Sequence, residues 1–136
     1  MDNHANEGRL ASLDVFPPAQ SYVYLDAASV GLTLDQAKAA GIDAVEFVAD
    51  YATSTKGYAV EAEFGHVTVT FDRATRELIG AAMACPDASA AIHECVLAIR
   101  ANVPLEILAD TIHAFPSTGR ILNGLFADAQ RALADS

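Results

Sequence analysis

The sequence is short of cations, cysteine and tryptophan: it has eight lysines and arginines against eighteen aspartates and glutamates, two cysteines and no tryptophan, and a formal net charge of −10 in 136 residues. Each shortage excludes something. Nucleic acid and anionic membrane surfaces are held by clustered cations, so neither is expected as a partner. Acidity of this degree serves solubility. Cys85 and Cys95 lack the CxxC spacing of a redox dithiol or a zinc site, and they read as buried free thiols of a reducing compartment. No metal-ligand spacing occurs elsewhere, so no metal is expected. No apolar run is long enough to span a bilayer, and the opening MDNHANEGRL is too polar for a secretory leader. A soluble, cytoplasmic protein is the expectation.

What is present is an ordinary globular composition, 52% hydrophobic and 19% charged, in a length suited to one domain with its own core. Residues 1–20 read as an N-terminal arm, polar at first and then apolar at Leu10, Leu13, Val15 and Phe16, before Pro17 and Pro18 stop any helix. Residues 21–136 read as the single domain. Tyr22, Val23 and Tyr24 open a strand. Thr33 is a natural N-cap for a short helix that Gly41 ends. In IDAVEFVADY, Val45, Phe47, Ala49 and Tyr51 share one face at period two.

Val67, Val69 and Phe71 then alternate with His66, Thr68 and Thr70, RATR turns the chain, and ELIGAAMA returns as a strand expected to be covered on both faces. The remainder is helical. Asp87 is the expected N-cap of a helix with Ile92, Cys95, Val96 and Ile99 on one stripe. Pro104 sits in the first turn of the next helix, whose stripe is Leu105, Leu108, Ala109 and Ile112. A last amphipathic helix, capped by Ser117, carries Ile121, Leu122, Leu125, Phe126, Ala129 and Leu133. Strands first and helices last predict an α+β fold, a mostly antiparallel sheet with helices packed on one face.

Three stretches, ASVGLTLDQAKAAGI, TFDRATRELIGAAMACPDASAAIHECVLAIRANVPLEILADTIHAFP and the closing helix, resemble the C-terminal dimerisation domain of the flavin-dependent pyridine nucleotide–disulfide oxidoreductases. That group includes dihydrolipoamide dehydrogenase, glutathione reductase and mercuric reductase. The resemblance covers roughly residues 21–134, so the chain reads as that domain standing alone. It implies a homodimer. It also implies a catalytic dyad at the final strip, a His before proline and a Glu three residues after the following Thr, reaching the partner's flavin and disulfide. Here Phe115 precedes Pro116 and Arg120 holds the Glu position. His113 matches a family His that is not the acid–base residue, and of the family's Asp-Pro-Glu triplet only one acid survives, at Asp26. His93 and Glu94 match a structural His-Glu pair of the family helix.

Phenylalanine has no proton to give and arginine does not lose one at working pH. No GxGxxG follows a strand, so no dinucleotide fingerprint is present and no flavin or other cofactor is expected. Without redox chemistry, two readings compete. The groove that closed over flavin is reused for a small, largely apolar molecule, with a cofactor-independent cyclase or isomerase activity of natural-product metabolism. Alternatively the domain is a non-catalytic dimerising subunit that meets a larger protein.

The residues singled out for a pocket are Phe115, Arg120, His66, Tyr22 and Tyr24, with His66, Tyr24 and Arg120 as catalytic candidates. Tyr51 is a further hydroxyl. His66 reads equally as an exposed strand histidine, and Arg120 as a solvated side chain, a ligand contact, or a partner of an acid such as Glu61 or Glu63. The apolar part of the arm, Leu10 to Phe16, is a candidate cover for surfaces that other domains would bury.

Overall fold

The computed structural model describes residues 26–134; the arm, Tyr22 and Tyr24 lie outside the described residues. Four strands and six helices follow in the order β1 (Asp26–Gly31), α1 (Leu34–Ala39), β2 (Ala44–Asp50), α2 (Thr55–Ala59), β3 (His66–Asp72), β4 (Leu78–Cys85), α3 (Ala88–Ala91), α4 (His93–Ala101), α5 (Leu105–Asp110) and α6 (Thr118–Leu133). The strands form one sheet in the order β1-β4-β3-β2, antiparallel throughout. The fold is α+β, with the sheet antiparallel as the run of strands before helices requires.

Local sequence accounts for most of the joints. The Thr33 hydroxyl accepts from the Gln36 amide at 3.2 Å while the Gln36 side chain accepts from the Thr33 amide at 2.9 Å, a capping box. Between β3 and β4, Asp72 Oδ1 accepts from the Ala74 amide at 2.8 Å and holds the turn. Period-two alternation sorts the strands: Val67, Val69 and Phe71 are fully buried, paired in register with Met83, Ala81 and Leu78.

That face meets α4, α5 and α6 in one core, where Phe71 stands edge-on to Phe47 and Phe126, each at a centroid distance of 6.3 Å. Ala37 and Ala44 are buried outside this core. Ala44 has the parity of Glu46 and Val48, so α1, packed on β2, covers one end of the second face. Beyond that end Ala82 and Ala84 are half-buried and Val48 is exposed. The return strand β4 is therefore sealed on one face only, the face on which the longer helices all lie.

Two helix boundaries depart from expectation. Asp87 sits in the left-handed region at φ 63° and its side chain makes no cap. The cap comes instead from β1: Asp26 Oδ2 accepts from the Ser89 amide at 2.8 Å, and the helix breaks at Ile92 into α3 and α4. Pro104 precedes α5 as its N-cap, and α5 stops at Asp110. Thr111 is extended, which throws Ile112 off the core stripe and leaves it 96% exposed.

Candidate functional site

The strip between α5 and α6 divides into side chains that hold and side chains that project. His113 holds. Its Nε2 lies 2.6 Å from Glu94 Oε1 on α4 and its Nδ1 lies 2.8 Å from the Thr111 carbonyl oxygen. Both ring nitrogens lie against protein oxygens, so the ring is held in place from two sides. Gly119, in the first turn of α6, lies against the same ring, where an added Cβ would sit 3.2 Å from His113 Cδ2. This imidazole–carboxylate pair ties α4, the strip and α6 together. Neither its pairing nor its clamp function follows from sequence, because 19 residues separate the partners.

Ser117 caps α6 as expected, its Oγ accepting from the Arg120 amide at 3.1 Å. The Arg120 side chain donates to Asn123 Oδ1 one turn on. Asn123 is buried and donates in turn to the carbonyls of Ala109 (3.0 Å) and Thr111 (3.2 Å). Arg120 is thus fixed from below by a buried amide rather than waving in solvent. It forms no ion pair with Glu61 or Glu63, both exposed, among the described residues. The i, i+3 spacing of Arg120 and Asn123 was a readable signal.

Phe115, joined to Pro116 by a cis peptide bond, is 69% exposed. It forms, with Arg120, the common wall of two open cavities. One, of about 480 Å3, extends over Asp50, Ser54, Lys56 and Ile121. The other, of about 500 Å3, runs over Ile112, His113 and Asn123. The first groove is built by α2, which begins where Ser54 Oγ accepts from the Gly57 amide at 2.9 Å. Gly57 is required there, since a Cβ would fall 2.0 Å from the Tyr51 carbonyl oxygen. Neither Lys56 nor Asp50 stood out as a site residue in the sequence: Lys56 lies on a helix of five residues that shows no periodicity, and Asp50 reads as the polar face of a strand.

His66 is exposed on the second face of the sheet, in register between Asp50 and Ala84, and lines neither groove. The structure therefore brings Phe115 and Arg120 together and leaves His66 apart; Tyr22 and Tyr24 lie outside the described residues. Tyr51 is wholly buried, and burial pushes its phenol up, offset in part by the Thr118 hydroxyl. The cysteines are inert. Burial raises the Cys85 thiol to about 11 and the Cys95 thiol to about 12, with nearby acids adding to both. Among the described residues no group of His, Cys, Asp and Glu is placed to hold a metal, and no helix is long and apolar enough to cross a membrane.

A four-stranded antiparallel sheet backed on one face by helices, with a proline-containing strip leading into the last of them, defines a small α+β domain. The chain belongs to the pyridine nucleotide-disulphide oxidoreductase dimerisation domain family, whose model matches residues 17–124.

It is 34% identical over 125 residues to a dihydrolipoyl dehydrogenase of Geobacillus stearothermophilus, covering 85% of this chain and 27% of that protein. Over 111 residues it is 34% identical to the dihydrolipoyl dehydrogenase of Halobacterium salinarum, covering 81% of this chain and 23% of that one. Among solved structures, the HOCl-induced flavoprotein disulfide reductase RclA from Escherichia coli superposes with a TM-score of 0.70 at 28% identity, over 74% of this chain and 23% of the other. LpdA from Mycobacterium tuberculosis shares the fold, with a TM-score of 0.66 over 95% of this chain at 24% identity, covering 30% of that protein. The chain thus spans about a quarter of the length of these relatives.

Proposed function

We propose that this chain works as a flavin-free homodimer that has lost oxidoreductase chemistry and uses the groove beside its strip to bind a small, largely apolar molecule. One observation carries the reading: Phe115 and Arg120, which stand where the resemblance places the dyad, wall a groove of about 480 Å3. That volume is in the range of roughly 300–1,000 Å3 usual for small-molecule sites. A fixed guanidinium beside an exposed aromatic ring suits recognition by shape and a few hydrogen bonds. Any turnover there is confined to what Arg120, Lys56 and Asp50 supply, which fits a cofactor-independent cyclisation or isomerisation of the natural-product kind and not electron transfer.

Homodimerisation follows the family, through a two-fold surface that each copy presents to the other. Leu97 at 65% exposure, Ile107 at 56% and Ile112 at 96% are large apolar side chains open to such a contact and support that reading. The same side chains support the second reading, an accessory subunit that meets a larger protein.

Sedimentation velocity combined with a thermal-shift screen of apolar small molecules separates the two. A dimer whose melting point rises with a ligand, and whose rise is lost in Phe115→Ala, is the expected result. A chain that stays monomeric until a larger protein joins it, and responds to no small molecule, contradicts the groove reading.

A further inference from the structure

The groove carries a charge opposite to that of the protein around it. The chain has eight lysines and arginines and a net charge of −10, yet two of those cations, Lys56 and Arg120, line this groove with Asp50 as the single acid among its lining residues. Neither cation takes part in an ion pair among the described residues. Two cations that face one groove without an ion-pair partner among the described residues leave a place there for a carboxylate.

We propose that the molecule bound in this groove is a monocarboxylate with an apolar body, its carboxylate on Arg120 and Lys56 and its body on Phe115 and Ile121. The inference rests on the groove reading above and names its ligand class. The guanidinium has five N–H donors in a fixed fork and commits one nitrogen to Asn123. Asn123 is itself pinned to two backbone carbonyls, so the remaining donors are oriented before a ligand arrives and little ordering is left for binding to bring about. An arginine fork matches a carboxylate in two parallel hydrogen bonds, and a lysine adds a point charge.

Asp50 decides the charge number. Its Oδ1 accepts from the Ala52 amide, which keeps the carboxylate at the groove. Two cations and one anion leave a single positive charge on the lining, which a monoanion balances and a dianion such as phosphate would overshoot. The apolar end is set by Phe115, whose ring is 69% exposed, and by half-buried Ile121; both lose contact with water when an apolar body covers them.

The test is an amide-resolved NMR titration of the full chain with 3-phenylpropionate, its neutral carboxamide, and inorganic phosphate. The expected result is saturable shifts at residues 53–56 and 115–121 with the carboxylate, at least tenfold weaker binding of the carboxamide, and no saturation by phosphate. Arg120→Gln should weaken the carboxylate at least tenfold and leave the carboxamide unchanged, while Lys56→Gln should weaken it severalfold.

Equal affinity for carboxylate and carboxamide, saturable binding of phosphate at the same residues, or an Arg120→Gln variant that binds the carboxylate as before, would overturn the ligand class while leaving the groove in use. No shift at these residues with either phenyl compound would remove the ligand class, and a failed thermal-shift screen beside it would remove the groove reading as well.

Discussion

Two sets of residues that alternate along one strip, His113 and Gly119 against Phe115 and Arg120, have opposite fates. His113 is buried against Glu94 and a backbone carbonyl, and Gly119 closes over it. Arg120 and Phe115 stand at the surface, one held only from beneath by Asn123, the other by nothing polar. The anchored set keeps α6 in place against the core. The projecting set has the side chains that differ in chemistry from what the resemblance leads one to expect. A scaffold can be retained by hydrogen bonds that never meet a substrate, while the residues that met one are free to change. Retained residues therefore report on architecture and altered ones on function.

That contrast can be attacked at several points, and the largest effect lies below it. Phe126 on α6 is fully buried and stands edge-on to Phe71. Phe126→Ala should cost about 3–5 kcal/mol of stability, read by urea unfolding, as for other buried aromatics. His113→Ala comes next. It removes two hydrogen bonds and leaves Glu94 half-buried without its partner, a loss of about 1–3 kcal/mol. If His113→Ala were neutral, the anchored set would not be anchoring anything.

A smaller effect is expected from Asp26→Asn, and it depends on pH. The Ser89 hydroxyl and amide hold the Asp26 carboxyl below its usual 3.8. A folded-state pKa below the unfolded one adds stability that is fully present above the ordinary carboxylate value and is lost as pH falls through the folded-state value. The melting temperature of Asp26→Asn should therefore fall below that of the parent at neutral pH, and the gap should close in acid. A gap independent of pH would mean that the carboxylate charge is not what caps α3. The smallest effect belongs to Phe115→Ala, whose stability should stay within about 0.5 kcal/mol of the parent because the ring buries little. Its consequence should appear in ligand binding alone.

What could be read from the residues follows from the range of the interactions involved. Thr33 with Gln36, Ser117 with the Arg120 amide, and the stripe from Leu122 to Leu133 all act within a turn or two of helix, and each was legible. The period-two strands were legible for the same reason. Asp26 capping α3 was not, because its partner lies 63 residues away and Asp87 stood in the right local place to mislead. Ile112 had the spacing of a core residue, but spacing does not say where a helix ends, and α5 ends two residues before it.

Of the site, Phe115 and Arg120 could be picked out from the strip, and both line one groove. His66 stands on the sheet face opposite the buried one and lines neither groove. Lys56 and Asp50 come to the groove only through the crossing of α2 and the strip, which no local pattern encodes.

The proposed loss of flavin-based redox chemistry in this member of the dimerisation domain family has a direct test. Incubation of the purified chain with FAD, desalting, and measurement of the retained visible flavin band together with NADH oxidation addresses it directly. A colourless protein without NADH oxidation is the predicted result; a stoichiometric yellow complex that oxidises NADH would contradict it.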